Sequence, residues 1–181
     1  MSNDCITYHI DQDDRIIYLS DEWQPFADKN KASHLTSEVI LNNRFNDFVT
    51  DTKSKHIYTM LIDRSRNHQE ELKFPFRCDA PDRRRFMSMT LTPLDDGVIV
   101  FKSCIVKEVT RDPVSLLDVS TERSDEMILI CSWCKKIKAE DDDWLEVESA
   151  IEKMSLFNKE ILPELSHGMC EVCFDKLSKD I

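Results

Sequence analysis

Four cysteines in two C-x-x-C pairs carry most of the chemistry this sequence offers. "ICSWCKKIK" (130–138) holds Cys131 and Cys134, and "SHGMCEVCF" (166–174) repeats the spacing with Cys170 and Cys173. One tight turn can aim two sulfurs at a single ion, so thiolates at this spacing are the usual corners of a tetrahedral zinc site. A single pair would also suit a thioredoxin-like redox motif. Two pairs, 35 residues apart and with three further cysteines scattered elsewhere, point instead to one shared Zn²⁺. His167, three residues before Cys170, is a secondary candidate, as a replacement ligand or as a neighbour that orients one.

Other uses of the four thiols fit less well. Rubredoxin-type iron knuckles normally contain Gly, and neither pair here does. A dithiol oxidoreductase needs one exposed thiol of low pKa and has no use for a second pair. A zinc-thiolate redox switch is the chemical alternative, since oxidation would release the ion and unfold the segment around it. A metal-dependent enzyme fits still less well, because a catalytic zinc keeps an open position and four thiolates close it. The expectation is no enzyme. The start of the chain shows neither a basic n-region nor an apolar run, so no secretory signal is visible. The expected location is cytoplasmic, where disulfides are rare. Cys5, Cys78 and Cys104 are therefore expected to be free thiols packed as small hydrophobes.

The elements that must position the four cysteines can be read on both sides of them. "DDDWLEVESAIEKMSLF" spaces Trp144, Val147, Ile151 and Met154 as one face of a helix behind an acidic start, and "CEVCFDKLSKDI" reads as a second helix. The second pair would then sit at a helix N-terminus, as in treble-clef-type zinc sites, where N–H groups favour thiolate. So small a unit cannot bury a sufficient core, and the ion should contribute directly to its folding.

Upstream, "CITYHI" and "RIIYLS" read as a hairpin across "DQDD". "DEWQPFADKNK", "VILNNRFNDFV" and "TDTKSKHIYTMLIDRSRN" have helical spacing, the last behind capping residues. The period then falls to 2. Leu72, Phe74 and Phe76 alternate with Lys73, Pro75 and Arg77, and Met87, Met89 and Leu91 share a face. "GVIVFKSCIVKEV" follows "DDG", an Asp-Gly hairpin signal. These runs predict a five-stranded antiparallel sheet with Pro75 at an edge or bulge. The division expected is residues 1–108, a linker over 109–126, and a metal-binding module over 127–181.

The ββ-helices-βββ order of residues 5–108 resembles the PAS domain. "FPFRCDAPDRRRFM" is similar to a segment of a bacterial group of PAS-like proteins that also end in paired cysteines. "CSWCKKIK" and "SHGMCEVC" resemble the C-x-x-C-K-K-I … H-G-x-C-x-x-C tail that follows PAS and receiver domains in bacterial sensory proteins. The resemblance implies an α+β fold: a PAS-like sheet with short helices on one face, plus a small treble-clef-like zinc tail. It implies a non-enzymatic sensory or protein-interaction role in signal transduction, with a signalling protein as partner and homodimerisation expected. Haem would need one helical histidine, for which His56 is the candidate, and the reactive cysteine of flavin light sensors is missing from "NNRFNDF". No haem or flavin is expected.

Charge narrows the partners. The net charge is -11, and from Val119 onward 8 Lys/Arg face 15 Asp/Glu, a net of -7. Nucleic acid and anionic membrane surfaces are bound through basic patches, so neither is expected. No apolar run reaches the roughly 18 residues that span a bilayer. Arg83, Arg84 and Arg85 form the one basic cluster and are expected to be a solvated turn. The acidic tail is expected to dock by opposite charge on a sheet face carrying Lys73, Arg77 and these arginines, either its own sheet or that of a second chain.

Overall fold

Period-2 alternation folds here into long strands, and the apolar member of each pair faces inward. The structure is a computed structural model and describes residues 5–139 and 143–180. The elements are β1 (Cys5–Ile10), β2 (Ile16–Leu19), α1 (Trp23–Lys29), α2 (Ser37–Ile40), α3 (Thr52–His68), β3 (Leu72–Arg77), β4 (Arg83–Pro93) and β5 (Ile99–Thr110). These are followed by β6 (Arg123–Cys131), β7 (Ile137–Lys138), β8 (Trp144–Leu145), α4 (Val147–Lys153), β9 (Leu162–Gly168) and α5 (Glu171–Asp180).

The first five strands form one antiparallel sheet in the order β2-β1-β5-β4-β3, with the helices entering between β2 and β3. This is the PAS-like arrangement. Leu72, Phe74 and Phe76 pair with Leu91, Met89 and Met87 across β3 and β4, and most of these side chains are buried. Pro75 lies in an edge strand, where its missing N–H costs no ladder bond. The turn between β4 and β5 has Asp96 and Gly97 at φ 57° and 75°, the two left-handed positions a tight hairpin demands. A Cβ on Gly97 would also stand 3.2 Å from the Cβ of Gln12.

The helix α3 lies over the inner face through Ile57, Leu61 and Ile62. Asp51 caps it by accepting from the Ser54 N–H at 2.8 Å. Between α2 and α3, Phe45–Phe48 is a 3-10 turn, tighter than the expected helix. Tyr8 stacks on Phe101 at 4.7 Å, and Phe45 meets Tyr58 edge-on at 5.0 Å. These rings fill most of the space under the helices. The cavity that remains beside Tyr8, Trp23 and Phe48 measures about 110 Å³, well below the roughly 300 Å³ at which small-ligand pockets begin.

Two sequence expectations are corrected. Cys5 and Cys104 are joined as a disulfide. They stand directly opposite each other in the β1–β5 register, with Cα atoms 4.0 Å apart, a cross-strand pairing that spacing along the chain cannot reveal. Cys78 is free. The arginine run is no solvated turn either. Arg85 is 2% exposed and reaches Glu108 and the side chain of Asn30. Arg84 pairs with Glu148.

The second half forms a four-stranded sheet, β8-β7-β6-β9, in which β9 runs parallel to β6. Trp144 belongs to β8 rather than to the helix, which starts at Val147. The expected acidic helix start falls partly on residues 140–142, outside the described residues. Val114 and Leu116, from the polar stretch after β5, pack with Ile130, Ile137, Val147 and Ile151 in a small core of their own.

The two halves meet through ion pairs and a shared core. The carboxylate of Asp79, 1% exposed, lies between the guanidinium groups of Arg77 and Arg111. Arg77 also contacts Glu146 at 2.8 Å, and Arg111 contacts Glu148 at 3.1 Å. Both glutamates begin α4, where negative charge complements the helix N-terminus. Removing one member of a buried pair leaves the other charged and unmatched, so Asp79→Ala should lower stability by about 3 kcal/mol. Urea unfolding will read this, and Glu122→Ala, at an exposed position, should change the midpoint little.

Candidate metal centre

The cysteine site assembles where the ends of β6 and β9 come together. Cys131 closes β6, and the chain reverses at once: the Cys131 N–H donates to Lys136 O at 2.7 Å, and the Lys135 N–H to Cys131 O at 3.0 Å. Lys135 takes φ 60°, a left-handed conformation that disfavours a side chain. This is the knuckle, built without the usual glycine. Across from it β9 ends at Gly168, whose carbonyl accepts the Ser132 N–H at 2.7 Å. A Cβ at Gly168 would stand 2.9 Å from Leu129 Cδ1, so a larger residue here would make the end of the Leu129 side chain turn aside.

Cys170 and Cys173 then open α5. The N–H groups of Cys170 and Cys173 approach the sulfurs of Cys131 and Cys170, each at 3.4 Å. All four sulfurs lie within 4.8 Å of one another. Cys131 and Cys170 are buried, Cys134 and Cys173 half-buried. His167 stands outside the cluster, exposed on β9. It borders a different hollow beside Asp51, Ser132 and Tyr58.

Electrostatics explains what such a cluster needs. Hydrogen bonds from the Cys134 and Cys173 thiols, together with nearby N–H groups, hold Cys131 far towards thiolate. The hydrogen bonds these two thiols donate to it push Cys134 up to about 12 and Cys173 higher still, with burial and the Cys131 charge adding to the rise. Four thiolates cannot share this volume unaided. A divalent cation among them reverses the sign of the problem and releases the remaining protons as it binds. The residues present therefore suit a thiophilic metal ion.

The knuckle is also the point at which the two halves interlock, a role sequence reasoning left as local packing for Trp133. Its indole enters the space between α3 and β3, with ring centroids 5.2 Å from Phe74 and 5.7 Å from Tyr58. The indole N–H donates to Pro75 O at 2.8 Å. The Arg77 N–H donates to the carbonyl of Trp133 at 2.9 Å, so the knuckle covers part of the β3 edge. Ser132 Oγ donates to Asp51 Oδ2 at 3.0 Å. One carboxylate thereby caps α3 and holds the knuckle. On the far side Leu177 is buried, Phe174 stacks on His56 at 6.1 Å, and Lys53 pairs with Glu171. His56, the haem candidate, is exposed and faces α5.

No protein-family model and no curated protein matches the chain. Among solved structures it is similar to the PAS domain of BvgS from Bordetella pertussis. The identity is 14% and the TM-score 0.44, over 57% of this chain and 78% of that one.

Trp133 is 7% exposed, and truncating a buried aromatic costs about 3–5 kcal/mol. Trp133→Ala should lower the stability of the PAS-like half by that order. Loss of near-ultraviolet dichroism from its aromatic cluster, followed against denaturant, measures it. A change confined to the C-terminal half would contradict the interlock.

Proposed function

We propose that this is a bacterial sensory or protein-interaction module of signal transduction, without enzymatic activity, in which a PAS-like domain is held to a structural zinc module. The supporting observation is the Trp133 knuckle, which puts the cysteine cluster and the PAS-like sheet into one hydrophobic core. Zinc is the favoured ion on donor chemistry and size. A tetrahedron with bonds of about 2.3 Å has sulfur–sulfur edges of about 3.8 Å. The Cys134 and Cys170 sulfurs stand 3.8 Å apart. Cys131, Cys134, Cys170 and Cys173 would fill every position of the ion, which favours a structural site over catalysis.

In this reading the metal sets whether Trp133 stays in place, and a signal passes by contact with a signalling protein. The chain works as a cytoplasmic homodimer that binds neither nucleic acid nor membrane, and in that reducing compartment the adjacent Cys5 and Cys104 would stand as two thiols. Among the described residues no helix is long and apolar enough to cross a membrane. Val106, Phe157 and Val172 are each at least 70% exposed and offer apolar contacts to a partner. A second reading, a thiol-zinc redox switch, draws on the half-buried Cys134 and Cys173, whose sulfurs an oxidant could reach.

Elemental mass spectrometry of the purified chain should find one zinc per chain, and Cys131→Ser should abolish it. Chelation should shift tryptophan emission to the red as Trp133 meets water. A zinc-free chain with unchanged emission would defeat the reading. Zinc released by peroxide and regained after a thiol reductant would favour the redox form. Light scattering should give a dimer mass at low salt and at about 0.5 M, where surface charge pairs are screened, and a monomer at both would remove the dimer.

A further inference from the structure

We infer that the cavity between β3, α3 and α5 binds a small apolar carboxylate. It measures about 430 Å³, within the roughly 300–1,000 Å³ of small-molecule sites, and about four times the space left under the helices of the PAS-like half. Neither half makes it alone. Leu61, Phe74, Phe76 and Phe86 come from the PAS-like half, and Trp133 and Leu177 from the cysteine module. Such walls accept an apolar body and offer little to a sugar or a peptide backbone.

The polar ends are cationic and unmatched. Lys73 and Lys176 line the cavity, both side chains are exposed, and so they mark its solvent end. Neither has a hydrogen-bond or ion-pair partner among the described residues. Other exposed lysines, Lys55 and Lys102 among them, are likewise unpaired, but these two stand at the mouth of an apolar cavity. The remaining cation of the wall, Arg77, is already matched by Asp79 and Glu146. Two free ammonium groups above an aromatic floor select one anionic end and reject amines. Cys134 and Cys173 border the same space, so an occupant would shield the metal centre from solvent.

This deepens the sensory reading and rests on it for purpose, while its chemistry rests on the cavity. The probe is 2-naphthoate, with 2-naphthol as its neutral match, titrated calorimetrically into the full chain as purified. Naphthoate should bind saturably at one site and more tightly than naphthol. The Lys73→Gln/Lys176→Gln double variant should weaken naphthoate on the order of tenfold, the loss of charge-assisted contacts, and leave naphthol unchanged. Equal binding of both probes, no saturable binding, or a double variant that binds like the parent would overturn the inference. So would loss of zinc from the double variant, because the lysines would then serve to balance the thiolates. Naphthoate binding by a chain that holds no zinc would sustain the inference while defeating the metal reading.

Discussion

The insertion of Trp133 between α3 and β3 is the contact on which the rest of the architecture depends. A two-stranded knuckle has no core of its own, yet this one presents a large ring to Phe74 and Tyr58 and satisfies both of its polar groups against β3. Burying an aromatic side chain of this size stabilises by about 2–3 kcal/mol before specific ring contacts are added. The same residues that grip the PAS-like edge also aim two sulfurs at the cluster. The centre therefore links two packing problems: it closes a small module, and it covers an edge strand that would otherwise offer unpaired backbone groups.

Charge does secondary work in the same place. The excess of acid in the C-terminal half is not spread evenly over a surface. Glu146 and Glu148 at the start of α4 meet Arg77, Arg84 and Arg111, and Asp79 stands buried between two of those arginines. Buried pairs of this kind add little net stability compared with apolar packing, but breaking one is expensive. Their effect is to fix the docking angle: Trp133 supplies the attraction, and the arginines allow it only one orientation.

Much of this was legible in the sequence. Strand alternation over 72–77 and 83–93, the Asp-Gly turn and the helical spacing of α3 are local signals, and each survived into the fold. The four cysteines were legible because a C-x-x-C turn is itself local. What escaped was set by contacts between distant segments. Cys5 meets Cys104 only because β1 and β5 pair in one register. Arg85 looked solvated because its partners Glu108 and Asn30 lie 23 and 55 residues away. Trp144 had helical spacing but joined β8, since the hairpin with β7 begins before α4 can. The strand β9 went unread because "LPELSHG" carries neither alternation nor β-branched residues, and β6 alone makes it a strand.

The parallel pairing of β6 with β9 also bears on how the chain reaches its native state. Parallel neighbours cannot be joined by a tight turn, and here β7, β8 and α4 lie between them. Cys131 and Cys134 can meet an ion as soon as their turn forms, within microseconds for a hairpin-sized element. Cys170 and Cys173 join them only through the crossover that brings β9 beside β6. The two halves of the cluster therefore differ in kind: one pair is fixed by a local turn, the other by a long-range strand pairing. Closing that long crossover carries a loop entropy that a local C-x-x-C turn does not, so the second pair of sulfurs is the costly half of the cluster to bring into place.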